Sequence, residues 1–146
     1  MAVVMAEPKA RPAPWPRVWV DQAALLERQH DRLEACLLEL LQRHGPEQPA
    51  WGAADALALE GACRRLLWDL RLHLRLEERW LRAQGCLCPG HRSAHRDALQ
   101  AALSGFLHAS GDRQGRYFWL QALQSWFLDH RQGADAHAYA LAHHSS

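Results

Sequence analysis

The chain has 146 residues, of which 49% are hydrophobic and 23% charged, with a formal net charge of +1. That length suits one domain with a real core, and the near-neutral balance argues against nucleic acid or an acidic membrane surface as a partner drawn by bulk charge. No stretch approaches the roughly 20 apolar residues that span a bilayer, and the opening "MAVVMAEPKARP" has too short an apolar run for a signal peptide.

Residues 1–18 contain Pro8, Pro12, Pro14 and Pro16 and read as an arm without regular structure, laid across the body by Trp15 and Trp19. Residues 19–146 read as the folded domain. Asp21 suits the N-cap of a first helix over 21–43, in which Leu26, His30, Leu33, Leu37 and Leu40 share one face. "GPEQPAWG" (45–52) breaks the chain. A second helix is predicted over 53–84, with Leu59, Cys63, Leu66, Leu70, His73, Glu77 and Trp80 on one face. After "GCLCPG" (85–90), a third over 91–109 aligns His91, His95, Leu99, Ala102 and Phe106. After "SGDRQG" (110–115), a fourth over 116–142 turns Trp119, Leu123, Trp126 or Phe127, and His130 inward. No segment shows the period-2 alternation of a strand. The expected fold is all-α, an antiparallel up-down-up-down four-helix bundle.

The inner faces carry an unusual load. His30 lies on the first helix, His73 and Glu77 on the second, His91 and His95 on the third, and His130 and Asp135 on the fourth. Residues four apart sit one turn apart on the same face, so His91 and His95 suit one metal ion. His73 can bind an ion while Glu77 reaches toward a second. Asp135 follows His130 by five, which a regular helix does not align. A local π-type widening would align them, and Gly133 between them would ease it. Unpaired buried ionisable groups cost several kcal/mol each, so seven such groups in a core imply a cation. Seven ligands exceed the needs of one ion and suit two that share bridges. An imidazole-rich, carboxylate-bridged set without thiolate suits iron, with manganese or zinc as competitors.

The stretches "LERQHDRL", "LRLHLRLEERWLRAQG", "CPGHRSAHRDAL" and "WFLDHRQGAD" resemble the hemerythrin family, the non-haem di-iron proteins that bind dioxygen. The likeness spans about residues 15–140. It implies two iron ions with an oxo or hydroxo bridge. His91, His95 and His130 would hold one iron, His30 and His73 the other, and Glu77 and Asp135 would bridge them. Dioxygen would bind at the iron with fewer histidines. Phe127, a bulky apolar residue, fits a sealed oxygen pocket, and Trp126 should pack close to the irons. Arg131 and Gly133 stand where the family usually has aliphatic residues, and Glu27 where it often has aspartate. Arg131 would open the pocket to another small reactant, which favours a peroxidase, an oxidase, or a peroxide or nitric oxide scavenger beside oxygen storage, delivery or sensing. A monomer is the expected state.

The remaining features read as structural. Cys36, Cys63, Cys86 and Cys88 form no regular framework, so they are expected to be reduced thiols in a cytoplasmic protein. Arg64, Arg65, Arg71, Arg75, Arg79 and Arg82 read as a solvated face of the second helix. His44 and His108 lie near helix ends, where they favour the negative end of the dipole.

Overall fold

A computed structural model describes residues 14–145 of the chain. Every regular element among them is helical. α1 is Pro14–His44, α2 Ala53–Ala83, α3 Pro89–His108 and α4 Arg113–His130. A π-helical turn, Arg131–Asp135, leads directly into α5, Ala136–Ser145. The last three elements form the fourth rod of a four-helix bundle.

The first helix begins earlier than its prolines suggest. α1 starts at Pro14, inside the stretch expected to be irregular, and Asp21 lies within it rather than at its cap. Pro14 and Pro16 are tolerated because the first-turn N–H groups of a helix have no intrahelical acceptor to lose. Residues 1–13, and the placement of Trp15 and Trp19 side chains, lie outside what the structure describes.

The other ends follow local chemistry. The backbone N–H of Gly52 donates to the Asp55 carboxylate at the start of α2 (3.3 Å). The thiol sulfur of Cys88 caps α3 by accepting from the His91 N–H (3.3 Å), with Pro89 in the first turn. The Asp112 carboxylate caps α4 through the Gly115 N–H (3.0 Å), which starts that helix three residues earlier than expected. The chain leaves α2 through Gln84 and then Gly85, whose φ of 71° is the left-handed conformation that favours glycine. There Cys86 N–H reaches back to the Leu81 carbonyl (2.8 Å) and Gly85 N–H to that of Arg82 (3.0 Å).

Each helix packs on its sequence neighbour, and α4 closes on α1. Contacts run in opposite senses along neighbouring helices. Arg113 meets the carbonyls of His44 and Gly45 while Arg131 meets Glu34 and Asp31. Ala102 faces Trp119, and His95 faces His130. The inner faces read from the sequence are the buried ones: Leu26, Leu33, Leu37 and Leu40 in α1, and Leu59, Cys63, Leu66, Leu70 and Trp80 in α2. Leu99 and Trp126 are only partly buried.

The core has two apolar parts. The larger, with Leu37, Leu66, Leu70, Phe106, Leu120 and Phe127, fills the end near the α1–α2 link. The smaller, with Leu26, Trp80, Leu81, Ala138, Tyr139 and Ala142, fills the other end. In α1 and the fourth rod the ionisable residues fall between these two parts in chain order, and on α2 they lie where the two parts meet, with Leu74 of the larger part between His73 and Glu77. In the larger part Arg116 is buried against Glu60 (2.6 Å), the Phe106 carbonyl (3.0 Å) and the Phe106 ring face (3.9 Å). These contacts offset the cost of burying its charge.

Two glycines test this packing. A Cβ on Gly105 would come 2.7 Å from Trp119 Cδ1, whose indole N–H is fixed on the Ala102 carbonyl (2.9 Å). A Cβ on Gly61, also inside a helix, meets nothing within 4 Å. Gly105→Ala is expected to destabilise by about 1–3 kcal/mol through overpacking. Gly61→Ala is expected to stabilise by about 0.5–1 kcal/mol through helix propensity. Urea unfolding of both variants checks the opposed signs.

Candidate metal centre

Four helical rods deliver seven side chains to one place. His30, His73, Glu77, His91, His95, His130 and Asp135 are all buried. Their donor atoms form two groups that share Glu77, with every atom in a group within 4.8 Å of the others. One group is Glu77, His91, His95, His130 and Asp135; the other is His30, His73 and Glu77. Each pair on α2 and α3 is four residues apart, as one helix face requires. His130 and Asp135 are brought together by the π turn between them, where Nε2 and Oδ1 lie 2.9 Å apart.

The two carboxylates are divided between the groups. Glu77 Oε1 lies 3.3 Å from His91 Nε2 and 3.2 Å from His95 Nε2, while Oε2 lies 3.3 Å from His30 Nε2 and 3.7 Å from His73 Nε2. Asp135 repeats the arrangement. Its Oδ1 is 2.9 Å from both His91 and His130, and its Oδ2 is 3.2 Å from His30. Each carboxylate therefore offers one oxygen to a three-histidine side and the other to a two-histidine side.

The imidazoles are oriented from outside. His30, His73 and His95 each direct Nδ1 to a side-chain oxygen, on Glu27, Gln29 and Glu78 respectively, all at 2.8 Å. A proton held on Nδ1 leaves the Nε2 lone pair for a metal. His73 Nε2 is fully buried and has no hydrogen-bond partner. His95 Nε2 and His130 Nε2 face each other at 2.8 Å. An orphaned lone pair and converging ring nitrogens fit a cation-binding set of nitrogen and oxygen donors. The cluster can hold a metal ion.

The same contacts govern where protons sit on these donors. Burial lowers the pKa of His30, but hydrogen bonds to Asp135, Glu77 and Glu27 outweigh it and raise it to about 10. His91 is likewise disfavoured by burial yet raised to about 9 by Asp135 and Glu77. His73, dominated by desolvation, falls to about 4. Burial alone would raise Glu77 and Asp135. The imidazoles around them hold both below the usual carboxylate range.

The surrounding residues divide into those on the centre and those beside it. Phe127 is buried with its ring 5.7 Å from that of His30 and 6.2 Å from that of His73, so it covers the two-histidine side. Trp126 is half-buried and stacks on His130 (4.5 Å between centroids, 14° between planes). Arg131 departs from its expected role. Its guanidinium donates to Glu34 and to Asp31 (2.9 Å), with Glu27 at 3.9 Å. Neutralised by α1 carboxylates, it does not present a free positive charge to the centre.

Tyr139 is the residue that the sequence reading passes over. Its hydroxyl donates to Glu77 Oε2 at 2.8 Å, and its ring packs edge-on to Trp80 at 4.9 Å. Burial and the Glu77 charge push its pKa well above the ordinary phenol value. The signal was its spacing, four residues after Asp135 on the same face. A cleft of about 370 Å³ lies over this edge of the centre, lined by Glu27, Glu34, Arg131, Gln132, Asp135 and Tyr139 among others.

Comparison with protein-family models, curated proteins and solved structures gives no match, so the centre is read from its own geometry.

Two expectations follow from these contacts. His30 and His91 add stability that is full below their ordinary value of 6.5 and is lost as pH climbs through about 9 and 10. His73 adds stability that is full above 6.5 and is lost as pH falls through about 4, with the two carboxylates failing in the same acid direction. Urea midpoints of chelator-stripped protein should therefore peak near pH 6.5. Bound metal should flatten the alkaline fall. Tyr139→Phe should keep the fold but weaken metal affinity about tenfold, by freeing the carboxylate it holds. Equilibrium competition with a coloured chelator measures that change.

Proposed function

We propose that this chain is a hemerythrin-like protein that holds two iron ions and binds dioxygen reversibly, for storage, delivery or sensing. The observation that carries the reading is the division of each carboxylate between two histidine groups, with His91, His95 and His130 on one side and His30 and His73 on the other. Two ions held by the five histidines and sharing Glu77 and Asp135 would account for every donor in the set. The donors are imidazole nitrogen and carboxylate oxygen without thiolate, a combination that suits iron.

A ferrous pair held by these residues would supply the two electrons that reversible dioxygen binding needs. The protein's own part is positioning and exclusion. Glu27, Gln29 and Glu78 fix the rings of His30, His73 and His95. Tyr139 holds Glu77. The His30–His73 side has one imidazole fewer, so a small ligand would complete the donor set there, and Phe127 closes it on the apolar side. Leu26, Leu70, Leu74 and Leu81 wall off water above and below.

The test is iron content together with visible spectra. Two irons per chain are expected. A band should appear when dioxygen meets the anaerobically reduced protein and should vanish on degassing. No reversible band would sink the oxygen-binding reading, and clearly more than two irons per chain would point to storage of the metal itself.

The cleft beside Asp135 and Tyr139 supports a second reading, in which the same centre turns over a small reactant such as hydrogen peroxide. With Arg131 paired to carboxylates, the cleft favours neutral reactants over anions. Gln132 is exposed on its rim. Gln132→Trp should lower peroxide consumption several-fold at unchanged iron content. Equal turnover in the variant removes the cleft as the route.

A further inference from the structure

The outer side of the α2–α3 pair carries a second feature, far in character from the buried centre. Arg71, Arg75 and Arg82 on α2 face Arg92 and Arg96 on α3 across a groove of about 720 Å³. The one carboxylate lining it is Glu78, which already accepts from His95 Nδ1. Among the described residues no ion pair is found for Arg71, Arg75, Arg82 or Arg92, and Arg96 meets only exposed Asp97 at 3.5 Å. A solvated helix face ordinarily interleaves both signs. Here five guanidiniums converge on one concavity almost unopposed, with Leu87, Pro89 and Leu99 among them.

The groove continues along the same two helices and changes character. A second section of about 610 Å³ shares Arg71, Arg96 and Leu99 with the first, then runs past Leu67, Trp68, Gln100, Leu103, Phe106 and Leu107, with Arg64, paired to Glu60 at 3.4 Å, on its edge. Trp68 is 65% exposed, Leu103 54% and Leu107 60%, so this section is an uncovered apolar trough rather than core. From Arg92 to Leu107 the helical rise gives a length of about 22 Å.

We propose that the α2–α3 groove is a binding site for a single-chain amphiphilic anion, a carboxylate or phosphate monoester head on a long acyl tail. The five arginines receive the head, in the fork geometry that suits both oxyanions. Leu67, Trp68, Leu103 and Leu107 take the tail. The polarity is fixed by position: charge at the end near the α2–α3 link, apolar surface at the other, and Arg71 and Arg96 at the junction. The concavity between two helices favours a tail lying along it over a flat surface pressed against it. This site is independent of which metal, if any, the bundle holds.

The test is calorimetric titration of the full chain with octyl, decyl and dodecyl phosphate, each below its micelle-forming concentration. One-to-one binding is expected, strengthening about two- to fourfold per added methylene as the tail is buried. Inorganic phosphate should bind at least tenfold more weakly than dodecyl phosphate. The double variant R71Q/R96Q and the single variant Leu103→Asp, all at exposed positions, should each lose at least tenfold while keeping the wild-type circular dichroism spectrum. Equal affinity for inorganic and dodecyl phosphate, or unchanged binding in both variants, overturns the proposal. So does retention on phosphatidylglycerol vesicles without binding of the monomeric amphiphiles, which would make the face a membrane contact instead. Absence of any saturable binding also overturns it.

Discussion

Two carboxylates buried among five imidazoles set the terms for the rest of this fold. Neither Glu77 nor Asp135 could remain charged in an apolar core without compensation, and removing their partners would leave a bare charge costing several kcal/mol. The helices must therefore bring five histidines within reach, whatever else they do. That demand explains the phase of each inner face, the π turn, and the two apolar parts of the core that flank the charged layer. It also explains why Glu27, Gln29 and Glu78 look inward from half-exposed positions. The rings must be held as well as present.

The same layer gives the bundle its asymmetry. Three imidazoles gather on one side and two on the other, though all four rods contribute. Phe127 and Tyr139 both lie toward the two-histidine side, one as an apolar cover and the other as a donor to the shared carboxylate. The cleft at Asp135 reaches the centre from this edge as well. Apolar cover, the hydroxyl donor and the cleft thus gather at the side with fewer protein donors, the side to which the proposed function assigns a small ligand.

Much of this was legible in the sequence because it obeys a simple period. Leu26, His30, Leu33 and Leu37 repeat every three or four residues, and so do Leu66, Leu70, His73, Glu77 and Trp80. A helix that buries its leucines must bury those histidines too. Even the awkward five-residue step from His130 to Asp135 announced its own remedy. What the period could not carry was side-chain direction over more than one bond. Arg131 stands next to His130 in the chain, yet its long side chain turns to the carboxylates of α1, because two acceptors and a third nearby negative charge there outweigh any pull from the centre. Tyr139 was missed for a related reason: a tyrosine on an apolar face reads as core until the acceptor for its hydroxyl is known. The start of α1 was misjudged because proline was weighed as a breaker without regard to its place in a first turn. The α2 arginines are exposed, as a solvated face requires, but the second wall of their groove lies on α3 and has no trace in the period of α2.

The π turn has a consequence beyond the pairing it makes. An α-helix advances about 100° per residue, so one residue more or less before a segment rotates everything after it by that angle. Asp135, Ala138, Tyr139 and Ala142 all face inward in the phase the widened turn sets. Were the turn to relax to α-helical winding, that whole inner stripe would be carried round toward solvent. Capture of the Asp135 carboxylate by His30, His91 and His130 thus acts as an indexing pin for the last ten residues of the rod. The charged layer and the small apolar cap lock in one register or not at all.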